Sequence, residues 1–235
     1  MVTHHLLFLE LIRQHFLAFA LLITIGFFLY TINRLAVFFR LTWPAFPIRD
    51  FRKRFGIMFR VAFGQTKIFR MPVIGFFHAM VFWGFCVILL GSVEMVIDGL
   101  AGTEKALKFL GPVHDIIMAS GDIFALLVAV SIIIFLSRRL FFHIKRFEGV
   151  EMKKRSHLDA NTALSLILLL MISLMSMNFG YLGYQEVTSG SINGVYPVGR
   201  MLLSLFPGLL ADDYKLIFEA SWWTHMLLIF FFANY

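Results

Sequence analysis

Charged residues and cysteine are both scarce in this sequence. Only 15% of its 235 residues are charged, against about a quarter in an average soluble domain, and 60% are hydrophobic. That balance excludes a soluble globular domain and a disordered chain. The single cysteine, Cys86, excludes a disulfide framework and an iron–sulfur cluster held by this chain alone. We expect no cleavable signal peptide, because residues 1–5 carry no Lys or Arg and no small-residue cleavage site follows.

Long apolar runs are the dominant feature of the chain. A helix needs about 20 residues to cross the hydrocarbon core of a bilayer. Five runs satisfy this length, the fifth only by including every residue up to the last: residues 16–39, 72–97, 116–136, 160–181 and 216–235. The sequence therefore predicts an all-α membrane protein, with five transmembrane helices in one bundle and a single domain over residues 1–235.

Basic residues are distributed unevenly between the connecting segments. Fifteen Lys and Arg residues lie between runs one and two and between runs three and four, whereas only four lie in the other two connections. Cytoplasmic loops carry the excess of Lys and Arg in multi-pass proteins. This predicts that the N-terminus lies outside and that run five ends inside. The net charge of +7 thus reflects topology rather than binding of nucleic acid.

Two further segments do not have the character of membrane spans. Residues 49–63 place apolar and basic side chains on opposite helical faces, which predicts an amphipathic helix on the cytoplasmic surface. The apolar face consists of Phe51, Phe55, Met58 and Ala62, and the opposite face carries Arg49, Lys53 and Arg60. The helix would serve as an anchor on anionic lipid or as a docking platform for a cytoplasmic partner. Residues 182–214 are predicted to fold over the outer surface as a cap.

Two histidines within apolar runs are the candidate binding residues. His78 lies six residues past Pro72, about 9 Å along a helix from the inner end, and no carboxylate lies nearby in sequence. His225 lies about 10 Å or more from the outer side. A buried neutral imidazole needs a strong partner, and a metal is the strongest. The small residues Gly75, Ala79 and Gly84 would leave room for a flat macrocycle. The alternative is that both histidines are structural and bonded to neighbouring groups.

The two histidines together favour haem over other ligands. Zinc requires three or four close ligands, and a proton pathway requires more acidic residues at mid-depth. His78 and His225 differ in depth by about 10 Å, which favours two haems over one haem held by both. His114, just before run three, is the best second ligand for the outer haem in the chain, the alternative being a helix-capping surface residue. Asp122 would orient a ligand or contact a quinone, or would bond two helices.

The inner haem lacks a second intramembrane ligand in the sequence. Run five ends without the basic inner flank that the other runs have. We therefore expect the polypeptide to continue beyond Tyr235. A histidine roughly 15–20 residues after His225 would reach the depth of His78.

The pattern of helices and histidines resembles the haem b membrane subunits exemplified by the gamma subunit of respiratory nitrate reductase. Residues 69–91 and 221–235 are more similar to the N-terminal membrane part of bacterial iron–sulfur-binding reductases, some of them proposed electron-transfer-flavoprotein:menaquinone oxidoreductases. The resemblance implies b-type haem, a quinone site near the outer haem and a cytoplasmic redox partner. His78 and His225 match the family's ligand positions. Where the nitrate reductase subunit has a second histidine in helix two, this chain has Ile88.

These expectations define one functional hypothesis and two rivals. The first is a di-haem domain of a quinone-linked oxidoreductase in a bacterial or archaeal cytoplasmic membrane. It would pass electrons between menaquinone and a cytoplasmic iron–sulfur or flavin module, the clusters lying outside this chain. The second is a single-haem variant with His78 and His225 as the pair. The third is a haem-free transporter or scaffold.

Overall fold

A computed structural model describes residues 2–41, 49–142 and 154–235, and every regular element within these ranges is helical. These ranges contain seven α-helices and two short 3₁₀ turns, Ile68–Arg70 and Ala106–Leu110. The helices are α1 (Val2–Arg40), α2 (Phe51–Ala62), α3 (Pro72–Ala101), α4 (Pro112–Phe141), α5 (Lys154–Ser189), α6 (Pro197–Leu205) and α7 (Ala211–Asn234).

Five of these helices are long and apolar enough to span a membrane, as the sequence predicts. They are α3, α4 and α7 over their whole length, α1 from Ile12 and α5 from Ser156. Most of the five continue beyond the apolar runs; α4, for example, has 30 residues where the run 116–136 has 21. Helical hydrogen bonds continue into the polar ends, where side chains can meet water and lipid headgroups. The chain is accordingly a multi-pass membrane protein.

Proline and glycine define several helix ends. Pro72, Pro112 and Pro197 each occupy the first turn, where the missing N–H has no intrahelical acceptor to lose. Helix α3 ends at Ala101, and the following Gly102 has a φ of 67°, the left-handed conformation that glycine adopts without strain. Helix α7 begins five residues before the predicted run, and Asp212 and Asp213 in its first turn favour this start through the helix dipole.

The structure divides into two compact units. The first contains Met1–Ala79, Ile97–Glu104 and Phe230–Tyr235, and the second contains Met80–Val96 and Lys105–Ile229. Helices α3 and α7 contribute to both units. His78 belongs to the first unit, whereas His114 and His225 belong to the second.

The first unit contains α2 and the start of α3. Gln65 is buried and adopts a left-handed φ of 49°, and its backbone carbonyl accepts bonds from Ile68 and Phe69 (3.0 and 3.2 Å). This turn leads into the 3₁₀ turn Ile68–Arg70, which lies directly on Gly75 in the first turns of α3. A β-carbon at Gly75 would collide with the carbonyl of Ile68. The glycine therefore fixes the segment after α2 against the start of a membrane span.

The second unit is built on close packing of α4, α5 and α6 with the start of α7. Its core cluster consists of Leu182, Tyr196, Leu203 and Tyr214, all buried. The glycines of α5 allow this packing: a β-carbon at Gly183 would collide with the ring of Tyr214. Within the segment 182–214, predicted as a cap, α5 extends to Ser189 and α6 forms a separate short helix.

Candidate functional site

His225 lies on α7 and is 1% exposed. Its Nδ1 is 3.1 Å from the carbonyl oxygen of Leu170 and 2.9 Å from the hydroxyl oxygen of Ser173, both on α5. The Ser173 hydroxyl itself donates to the Leu170 carbonyl at 2.9 Å. Two groups on the neighbouring helix α5 thus hold one edge of the imidazole ring.

These contacts determine where the proton of the neutral ring lies. A carbonyl oxygen can only accept, so the bond to Leu170 requires a proton on Nδ1. Nε2 then carries the lone pair. Nε2 is buried and has no hydrogen-bond partner among the residues that the structure describes.

A buried acceptor without a partner is unfavourable, since it loses its bond to water and gains nothing in return. Histidines that bind metals characteristically donate the opposite ring N–H to a backbone carbonyl or carboxylate. His225 has this arrangement, so the residues present fit a haem whose iron would be bound by Nε2. The observation favours the sequence prediction for His225 over a structural role in which both ring nitrogens would be bonded within the protein.

His78 has the opposite environment. It lies in the second turn of α3, six residues after Pro72, and its side chain is exposed although it belongs to an apolar helix. An ionisable side chain on a membrane span is costly towards lipid and generally faces a partner or a polar cavity. An exposed imidazole at this position is compatible with a ligand that approaches α3 from outside the described residues.

Gly75 and Gly84 do not provide the open space beside α3 that we expect from the sequence. The space beside Gly75 is taken by the 3₁₀ turn at Ile68 and Phe69. The space beside Gly84 is taken by the side chains of Val128 and Phe124 on α4. Both glycines therefore allow close packing, and room for a macrocycle must come from elsewhere on the helix.

His114 lies in the first turn of α4 and is buried together with Glu94 of α3. The Nε2 atom of His114 is 3.0 and 3.1 Å from the two carboxylate oxygens of Glu94. Glu94 also accepts a 2.9 Å bond from the backbone N–H of Leu107. The nitrogen that remains for a metal is Nδ1, which is 3.9 Å from a carboxylate oxygen of Asp115. The role of His114 as a second haem ligand stays a prediction, with less support than that of His225.

Asp122 joins three helices of the second unit. One carboxylate oxygen accepts a 2.8 Å bond from the amide of Asn178 on α5. The other accepts bonds from the backbone N–H groups of Val198 (2.6 Å) and Gly199 (3.1 Å) at the start of α6. Of the roles open to Asp122 from sequence, a helix-to-helix bond is the one that the structure contains.

Among the described residues, no three His, Cys, Asp or Glu side chains come together as a bare metal-ion site requires. Haem iron differs from such an ion because the macrocycle supplies four ligands and the protein adds one or two. His225 therefore remains able to serve as a ligand without a cluster around it.

Ser173 and Glu94 contribute to these sites in ways that the sequence does not reveal. Ser173 is an ordinary polar residue in an apolar run, and its contact with His225 depends on how α5 and α7 are aligned. Glu94 stands near the end of run two, where an exposed carboxylate would be unremarkable. Its pairing with His114 depends on the turn after α3.

Comparison with known proteins identifies one informative relative. The chain is 24% identical over 185 residues to a Bacillus subtilis (strain 168) protein named "Probable iron-sulfur-binding oxidoreductase FadF". The matched region covers 79% of this chain and 24% of that protein, so this chain spans about a quarter of the relative's length. No family model matches the sequence. No solved structure matches it either.

Proposed function

We propose that the chain is a membrane cytochrome of the b type that transfers electrons as part of a quinone-linked oxidoreductase. The observation that carries the proposal is the state of His225: a ring oriented by α5, a proton fixed on Nδ1 and a buried Nε2 without a partner. The similarity to a protein named as an iron–sulfur-binding oxidoreductase supports a redox role.

The chain's own residues would perform three tasks. His225 would bind iron through Nε2, while the Leu170 carbonyl and the Ser173 hydroxyl keep the ring orientation and the proton on Nδ1. His114 would bind the same iron as His225, through Nδ1. His78 would bind a second haem from its exposed position on α3. When bound, haem supplies one-electron oxidation and reduction at its iron.

We propose two haems rather than one because the sequence predicts different depths in the membrane for His78 and His225. His78 is six residues from the start of α3, and His225 is nine residues from the end of α7. The two histidines would therefore serve different haems. Haem stoichiometry distinguishes the two-haem arrangement from a single haem held by His78 and His225.

The electron partners follow from the same proposal. Menaquinone would exchange two electrons and two protons on the outer side. A cytoplasmic iron–sulfur or flavin module, carried on a further part of the polypeptide or on a separate subunit such as an electron-transfer flavoprotein, would exchange electrons on the basic inner face. The cytoplasmic membrane of a bacterium or archaeon is the proposed location.

The test is the haem content of the purified full chain and of two histidine variants. We expect the dithionite-reduced minus oxidised spectrum to show the alpha band of a b-type haem. His225→Ala should lose at least half of the haem measured as pyridine haemochrome. His157→Ala, a matched loss of a histidine on α5, should keep the full amount.

His78→Ala separates the arrangements of ligands. In the two-haem arrangement it removes one of two haems, whereas in the single-haem arrangement it removes all haem. Haem content unchanged in His225→Ala would contradict the assignment of His225. A wild-type protein without a b-type band would contradict the cytochrome proposal and leave the haem-free scaffold or transporter.

A further inference from the structure

Helix α2 presents an apolar face that the rest of the described chain does not cover. None of its residues is buried. The large apolar side chains of the helix are half to three-quarters exposed, among them Phe51 (74%), Phe55 (53%) and Met58 (51%). Exposed clusters of this kind mark surfaces that bind a partner or a membrane.

Basic side chains lie at both edges of the apolar face and on the opposite side of α2. With about 100° of rotation per residue, Phe51, Phe55 and Met58 lie on one side of α2. Arg52 and Arg54 then lie at the two edges of the apolar face. Lys53 and Arg60 lie opposite the apolar face, and Asp50 is the only acidic residue in the stretch 49–70, which carries seven Lys and Arg residues.

The attachment of α2 places it close to a membrane boundary. Only nine residues separate Ala62 from Pro72, where the membrane span α3 begins. The turn at Gln65 and the contact between Gly75 and Ile68 hold this connection against the first turns of α3. A connection this short keeps α2 within reach of the lipid surface beside the start of α3.

We propose that α2 lies on the surface of the bilayer and binds anionic phospholipid. Phe51, Phe55 and Met58 would enter the boundary between headgroups and acyl chains, and Arg52 and Arg54 would contact lipid phosphates at the two edges of the helix. Long basic side chains at such edges can keep their stems in the apolar layer and their charges among the headgroups. The closeness to α3 and the edge positions of the arginines favour lipid over a protein partner.

The test measures how deeply each side of α2 lies in lipid. The full chain is placed in nanodiscs of phosphatidylcholine with phosphatidylglycerol, and spin labels are attached in a Cys86→Ser background. One label is attached at Met58→Cys on the apolar face. The matched control is Gly56→Cys on the other side, where the added side chain meets open space. Collision rates with oxygen, which enters lipid, are compared with those of a water-soluble nickel chelate.

The proposal predicts opposite preferences at the two positions. The Met58 label should collide more with oxygen, and the Gly56 label more with the chelate. In nanodiscs of phosphatidylcholine alone, the difference between the positions should shrink by about twofold or more, because the phosphate-binding arginines lose the negative surface.

Three results would overturn the proposal. Equal chelate collisions at both positions would show that α2 stands in water. A Met58 label protected from both reagents would show that protein covers the face. Dipolar broadening between Met58 labels would show that a second copy of the chain covers it. Hydrogen exchange over α2 in the unlabelled chain tests the lipid dependence without a substitution, and protection should be stronger with phosphatidylglycerol present than in phosphatidylcholine alone.

Discussion

Replacing the buried carboxylate of Asp122 should lower the free energy of unfolding more than replacing either of the two polar residues compared with it below. Asp122 is 1% exposed and accepts three hydrogen bonds, from Asn178 and from the backbone N–H groups of Val198 and Gly199. Asp122→Ala would leave three buried donors without an acceptor and would remove a negative charge from the start of α6. Each unsatisfied group costs about 1–3 kcal/mol, and partial relaxation brings the expected loss of unfolding free energy to about 3–5 kcal/mol.

Two other substitutions set the scale for this loss. Asn178→Ala breaks one of the three bonds and should cost about 1–2 kcal/mol. Asp213→Ala also removes a carboxylate that accepts from a backbone N–H near a helix start, that of Leu210 at 3.2 Å. Its site is exposed, so water replaces the lost bond, and the expected cost is about 0.5–1 kcal/mol.

The assay is reversible unfolding of the full chain in mixed detergent micelles, with hydrogen exchange as the local readout. The order of destabilisation should be Asp122→Ala, then Asn178→Ala, then Asp213→Ala. In Asp122→Ala the amides of Val198 and Gly199 should lose protection before the rest of the second unit. An Asp122→Ala variant no less stable than Asp213→Ala, or with α6 still protected, would refute the reasoning.

Two further predictions concern the surroundings of His225 and of Tyr196. Ser173→Ala should lower haem affinity by about tenfold, because one of the two groups near Nδ1 is lost while the Leu170 carbonyl remains. Titration of haem into the haem-free protein measures this affinity. Ser165→Ala, a control at an exposed position on α5, should bind haem as the wild type does. Burial raises the pKa of the Tyr196 hydroxyl above its ordinary value. Above a pH of about 10, the Tyr196 hydroxyl therefore keeps its proton in the folded state and loses it in the unfolded state. The free energy of unfolding should consequently fall as the pH rises above about 10. Tyr196→Phe should reduce the decline measured by unfolding between pH about 9 and about 11, and an identical decline would contradict this explanation.

The five membrane spans could be predicted because their signal is composition over a long window. Runs of apolar residues such as 72–97 and 160–181 require only that lipid be the surrounding solvent. The ends of the helices were harder to predict. Helix α5 continues to Ser189 through residues that are polar enough to resemble a loop, since helical hydrogen bonding does not stop where the hydrocarbon layer does.

The sequence could identify a residue of the candidate site, but it could not predict the contacts of that residue. His225 could be selected because a histidine in an apolar run is rare and costly. Its bonds to Leu170 and Ser173 depend on the alignment of α5 with α7, which no local sequence pattern encodes. For the same reason, the packing of Gly84 against Val128 and Phe124 was mistaken for open space beside α3.

Helix α6 shows a related limit. Its residues include a starting proline and a short apolar patch, which favour a helix, but nine residues are too few to be stable alone. The carboxylate of Asp122, 75 residues earlier than Pro197, supplies the missing acceptor at its start. Such a dependence on a distant side chain cannot be deduced from the segment itself.

An experimental density map of the purified full chain around His225 would show directly whether this residue binds haem. We expect porphyrin density with iron at bonding distance from Nε2, and with Nδ1 still bonded to the Leu170 carbonyl. Density that instead shows Nε2 bonded to a side chain or a water molecule, with no macrocycle beside α7, would refute the haem assignment of His225.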